Sequence, residues 1–355
     1  MPVFMGLKWR GNSADAARRR YDRFRMFDDL QPGAENAIRV CLNVRPHERV
    51  TVITDRETRP IADALVAEID KVGSAHRLFV LEDEAPRPLT DLPASIAADM
   101  ERSHVSIFAA QVQANELPSR MQMTDIVNRR KMRHAHMVNI TPQIMTEGMR
   151  ADYHVVDDIS TRVINKVRTA RRIRATTPAG SDFTADLDPA YRWIKTSGLI
   201  SPEKWGNLPG GEVFTSPGEV NGTFVIDGVV GDWLCDRYGN LKDTPLTVRV
   251  EGNRLVSAES SDQRLRDDFW AYTHTDENSD RVGEFAIGTN IELREIIGHI
   301  LQDEKFPGIH IAFGNPYGAH TGADWYSSTH IDVVGAQFDI WVDDDKIMER
   351  GRFLI

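Results

Sequence analysis

Thr329-His330-Ile331-Asp332-Val333-Val334 is the stretch on which the reading of this chain turns. If it is extended, residues two apart share a face, and the His330 imidazole and the Asp332 carboxylate can converge on one ion. In a helix the same two side chains would diverge by about 200°. Three more segments have the same texture. His310 sits in Ile309-His-Ile-Ala-Phe313, Glu284 follows Gly283 in a run through Gly288, and Glu212 follows Gly211 in Gly-Glu-Val-Phe-Thr215. Singly, a histidine in an apolar strand is an ordinary satisfied core residue and a Gly-Glu turn an ordinary surface one. Five charged or ionisable groups in four apolar segments need a common explanation, because burying an unpaired charge is costly. Mutual satisfaction around metal supplies it. Five side chains exceed what one tetrahedral zinc requires; they suit two ions roughly 3.5 to 4 Å apart, bridged by a carboxylate.

The rest of the composition is ordinary for a soluble globular protein. The 355 residues allow two domains, and the net charge of −10 argues against a nucleic-acid partner, since phosphate binding needs a basic surface. The one basic run, Asn128 to His136, reads as a solvated helix face; with Arg120 and Gln111 it could alternatively hold a substrate carboxylate. No apolar run reaches the roughly 20 residues that span a bilayer. Met1 to Arg25 lacks a signal-peptide core, and Arg18, Arg19 and Arg20 suggest a solvated helical arm, so a cytoplasmic location is expected. Cys41 and Cys235 are too few and too distant for a metal knuckle or disulfide framework.

Two textures divide the chain. In residues 1–174, strands at Arg49–Thr54, Ala75–Leu81, Val105–Ala110 and His136–Ile140 alternate with helices at Arg59–Val72 and Pro93–Arg102. This is an α/β domain with a mostly parallel sheet. No glycine-rich phosphate loop follows any of these strands. After a helix expected over Asp158–Ala175, residues 175–355 break into short strands split by Gly, Pro, Asn and Asp, with helices expected at Ser261–Tyr272 and Ile291–Leu301. This second part is a strand-rich α+β domain, and it holds every ligand candidate.

These segments resemble the thermophilic-type metallo-aminopeptidases, the aminopeptidase T and aminopeptidase S family. The stretch Asn207-Leu-Pro-Gly-Gly-Glu-Val-Phe-Thr-Ser-Pro217 is similar to the family's Asn-Ile-Pro-x-Glu-Glu-Val-Phe-Thr-x-Pro, and Ala179-Gly-Ser-Asp-Phe-Thr184 to its Gly-Thr-Asp-Leu segment. The resemblance implies that Glu212, Glu284, His310, His330 and Asp332 bind one or two divalent ions (Zn, Mn, Co or Fe). It implies that Glu212 or Glu284 moves the proton, that Tyr317 stabilises the oxyanion, and that the chain forms a homodimer. The expected activity is metal-dependent hydrolysis of an amide or amine-bearing substrate, peptide or small molecule. Gly211 departs from the pattern: it replaces the first glutamate of the pair, which could hold a substrate ammonium. The first domain also reads as shorter. The family's relatives supply the alternative, an aminohydrolase or a ring-cleaving non-haem iron(II) dioxygenase like 2,5-dihydroxypyridine dioxygenase. Its substrate would be a small aromatic acid, with Trp193, Trp205, Trp233 and Trp325 lining a flat pocket.

Overall fold

The computed structural model describes residues 28–231 and 233–355; the arm expected over Met1–Arg25 lies outside them. The first sheet has five strands, all parallel, in the order Ala75–Val80, Arg49–Thr54, Val105–Ala109, Arg133–His136 and Gly206–Asn207. Helix Arg59–Val72 buries Ile61, Leu65 and Ile69 against it and ends at Gly73 in the left-handed conformation. That is the backbone geometry glycine adopts without cost.

Three expectations shift here. The fourth strand is Arg133–His136, ahead of the expected His136–Ile140. The basic run is therefore split between the end of helix Leu117–Arg130 and a buried strand. His134 and His136 are tolerated inside because Ser106 Oγ lies 2.8 Å from His134 Nδ1 and the two rings meet at 3.3 Å. The helix before the second domain is Tyr153–Val167, with Asp152 accepting the amides of His154 and Val155 as its cap. Arg172–Thr176 is then a strand rather than its continuation. No helix begins at Ile291: the Asp303 carboxylate accepts the amides of Ile297, Gly298 and His299, and only Ile300–Asp303 is helical.

The second part stacks two antiparallel sheets. Eight strands from Arg172–Thr176 to Arg352–Phe353 form one. The other runs His330–Val334, Gly308–Gly314, Val282–Gly288, Glu212–Thr215, Ile194–Thr196. Phe285, Ile287, Ile309, Ile311, Phe313, Ile331 and Val333 point from this sheet into a shared core with Phe183, Phe224 and Phe338 of the eight-stranded sheet. Because side chains alternate between faces, Glu284, Ala286, His310, Ala312, His330 and Asp332 are turned to the opposite face. The sequence boundary at 174/175 falls inside a strand of the eight-stranded sheet, and Gly206–Asn207 returns to pair with the first sheet. Among the described residues no helix is long and apolar enough to cross a membrane.

Candidate metal centre

Strand register assembles the site. Ala312 pairs with both Glu284 and Asp332, Gly314 with His330, Ala286 with His310, and Gly288 with Glu212. Small residues thus stand beside each ligand candidate, leaving room above the sheet. All five expected ligands come together in two groups that share Glu284: Glu212, Glu284 and His310, and Glu284, His330 and Asp332, each with ligand atoms within 4.8 Å of one another. Glu284 gives a different oxygen to each. Its Oε1 lies 3.5 Å from His310 Nε2, and its Oε2 lies 3.8 Å from His330 Nε2. His310 Nε2 is 3.4 Å from Glu212 Oε2, and His330 Nε2 is 3.5 Å from Asp332 Oδ1.

These residues fit a metal. His310 is 2 % exposed, and its Nε2 is a buried atom with no hydrogen-bond partner, an arrangement proteins avoid unless something else satisfies it. His330 Nδ1 lies 2.9 Å from the Asn315 carbonyl. Donating there leaves the Nε2 lone pair facing the carboxylates, the usual way a ligand histidine is oriented. The charges agree. Burial alone would lower both imidazoles, but Glu212 and Glu284 around His310, and Asp332 and Glu284 around His330, outweigh it and push each up to about 10. Burial raises Glu284 above the ordinary carboxylate range, whereas Lys305 and His310 overcome burial to hold Glu212 well below it. His330 does the same for Asp332. The pocket is built for positive charge.

Tyr317 is set in the left-handed conformation, φ 48°, and its ring lies 4.3 Å from that of His330. Burial and the surrounding carboxylates, Glu284 first, raise its hydroxyl well above the usual phenol range. At 43 % exposure the residue stands at the mouth of the site.

The sequence did not single out Lys305, Glu304 and Thr196. Lys305 is 1 % exposed, with Nζ 2.7 Å from Glu212 Oε1 and 2.5 Å from Glu304 Oε1, and Thr196 Oγ1 donates to Glu212 Oε1 at 2.8 Å. Asp303-Glu304-Lys305 reads as a solvated charge run, and no local pattern marks it otherwise. The four tryptophans do not share a pocket. Trp205 packs on His134 and His136, Trp233 on Tyr272, Trp325 on Tyr191, and Trp193 against the sandwich core. Arg120 acts electrostatically on His136, while the Gln111 side chain donates to the Ile140 carbonyl.

The profile of the thermophilic metalloprotease family (M29) matches residues 159–337, which carry every residue of this centre. The chain belongs to the thermophilic metalloprotease family. As a metalloprotease-family member it is an enzyme of the hydrolase class that works with a divalent metal. Its fold is similar to that of 2,5-dihydroxypyridine dioxygenase from Pseudomonas putida KT2440, with a TM-score of 0.67 and 15 % identity over 92 % of this chain and 96 % of that one. It is also similar to wild-type AmpT from Thermus thermophilus, with a TM-score of 0.64 and 18 % identity over 92 % and 99 %. Both likenesses run nearly the full length of the partner chain, so a shortened first domain is not what they show. A search of curated protein sequences returned no match.

Proposed function

We propose that this metalloprotease-family chain is an aminopeptidase-like hydrolase that uses two divalent cations on an amide or amine-bearing substrate. One observation carries the reading: Glu284 turns one carboxylate oxygen to each of two ligand groups, the geometry of a bridging ligand. Glu212, Glu284 and His310 would hold one cation, and Glu284, His330 and Asp332 the other. Cations bound there supply Lewis-acid polarisation of the scissile carbonyl and activate a water nucleophile. A carboxylate beside the activated water, Glu212 or Glu284, would move the proton; Lys305 and Thr196 engage one oxygen of Glu212. Tyr317 donates its hydroxyl to the oxyanion. The reading includes a cytoplasmic homodimer.

A second reading, aminohydrolysis or ring cleavage of a small aromatic acid, draws on Gly211. Its φ is +128°, and a Cβ there would meet Asn290 Cβ at 2.7 Å, so the backbone as folded leaves no room for a carboxylate to receive a substrate ammonium. Hydrolysis ranks above oxygen chemistry. A single iron on two histidines and one carboxylate would leave Glu212 and Glu284, which both stand in the ligand groups, without a role.

The test is elemental analysis of anaerobically purified protein, paired with oxygen uptake and a panel of aminoacyl amides and aryl amines. About two equivalents of zinc, manganese or cobalt, with hydrolysis and no oxygen consumption, are expected. One equivalent of iron with substrate-dependent oxygen uptake would overturn the proposal.

A further inference from the structure

Lys305 is a fully buried ammonium beside a metal-ligand carboxylate, and the fold takes trouble to bring it there. Gly288 is the register partner of Glu212. A Cβ on Gly288 would overlap the Phe306 carbonyl oxygen and come within 2.9 Å of the Lys305 carbonyl carbon. The missing side chain therefore lets the turn after helix Ile300–Asp303 lie directly on the ligand-bearing face. The Asn290 amide donates to the Lys305 carbonyl at 3.0 Å and fixes the turn in place. Lys305 Nζ then reaches Glu212 Oε1 at 2.7 Å and Glu304 Oε1 at 2.5 Å. Thr196 Oγ1 donates to the same Glu212 oxygen. Two donors thus occupy Oε1, and Oε2 alone faces His310 Nε2 at 3.4 Å.

Given the reading of this site as a metal centre, we infer that Lys305 is a positioning residue that fixes Glu212 as a one-oxygen ligand. It thereby decides whether the Glu212–His310 position is filled. Held this way, Glu212 is kept from swinging both oxygens onto one cation or turning away from it, and Lys305 is what pins it. Among the described residues no lysine forms an ion pair with Asp332, on which Lys305 acts only through space, whereas it pairs directly with Glu212, so the two positions depend on Lys305 unequally. Glu304 serves as counter-charge: with Glu212 committed to metal, a buried lysine without a second carboxylate would be under-compensated.

The experiment measures bound metal per chain, by elemental analysis after dialysis, and affinity by chelator competition, for wild type and four variants. Lys305→Met is expected to lose one of the two equivalents. Lys305→Met/Glu304→Gln, which removes the Glu304 charge together with its lysine partner, is expected to fold and to lose the same one. Outer-sphere partners of metal ligands are worth roughly 10- to 100-fold in affinity, and a fall of that size is expected for one equivalent only. Thr196→Val, at a half-buried position, should weaken the same equivalent by less, because a neutral donor replaces no charge. Glu304→Gln alone should keep two, since Lys305 still holds Glu212. A folded double variant that takes up two equivalents with wild-type affinity overturns the inference while leaving the metal centre intact. A wild type that takes up none overturns the reading of the site, and the inference with it.

Discussion

His134 and His136 in the first domain, and His330 and Asp332 in the second, are pairs of residues two apart on buried strands. Their electrostatic fates are opposite. His134 faces Ser106 Oγ and its neighbour's ring, with Trp205 packed edge-on against both. Burial dominates and lowers His134 to about 3 and His136 well below its ordinary range. Those rings are neutral, and the polar groups around them are enough. His330, with His310 across the sheet, sits among carboxylates that overcome the same burial and push each up to about 10. Spacing and burial therefore do not distinguish a structural histidine from a ligand. The charge of what surrounds it does.

The contrast breaks most decisively at Glu284, which both ligand groups share. Glu284→Ala should abolish binding of both metals and cut turnover by about three orders of magnitude, as losing several kcal/mol of transition-state stabilisation implies. His134→Ala should leave metal content unchanged. Full metal content in Glu284→Ala, by elemental analysis, would remove the basis of the comparison. Tyr317→Phe should retain metal and lower kcat by about 100-fold, the scale of one oxyanion donor, with little change in KM; steady-state kinetics on the best amide substrate would check it.

The next test turns on pH, with opposite signs for the two regions. His134 and His136 titrate lower folded than unfolded, so their contribution is complete above about 6.5 and is lost as pH falls toward 3. In metal-free protein, His310 and His330 titrate higher folded than unfolded. Their contribution is complete below about 6.5 and is lost as pH rises through about 10. Stability measured by chemical unfolding in chelator should thus fall on the alkaline side, by up to about 1.4 kcal/mol per pH unit for each proton, and His310→Ala should make that limb shallower while leaving the acid one unchanged. Metal should abolish it, because binding displaces those protons. The smallest effect should come from Arg172→Ala, which removes an exposed ion pair with Asp186 in the eight-stranded sheet. Less than about 1 kcal/mol of stability should be lost, with metal affinity untouched.

The ligand set was legible because a strand repeats every two residues. His330 and Asp332, and the apolar residues between ligands, declare both faces at once. The first strand and helix of the parallel domain were legible for a related reason: Arg49–Thr54 and Arg59–Val72 are bounded by turn residues and run their full expected lengths. What escaped was whatever depends on distant partners. Helix Leu117–Arg130 has a weak apolar pattern and many polar residues. The missing helix at Ile291 is undone by the Asp303 carboxylate, which accepts amides up to six residues before it, from Ile297 on. Lys305 looks like a surface lysine until Gly288, far off in sequence, opens the space it occupies. Residues 172–175 read as the end of a helix until strand Asp182–Asp186 pairs with them.

The brief strand Gly206–Asn207 has a practical consequence. The chain leaves the parallel domain, builds part of the sandwich, and returns to lay a fifth strand beside Arg133–His136 and to bury Ile200 and Leu208 in the first core. A fragment cut at any single point between Val167 and Arg172 would lack that strand, with the edge beside His136 unpaired and two apolar sockets empty. The halves of this enzyme are woven together, and an excised first half should be recovered as aggregate rather than as a soluble domain.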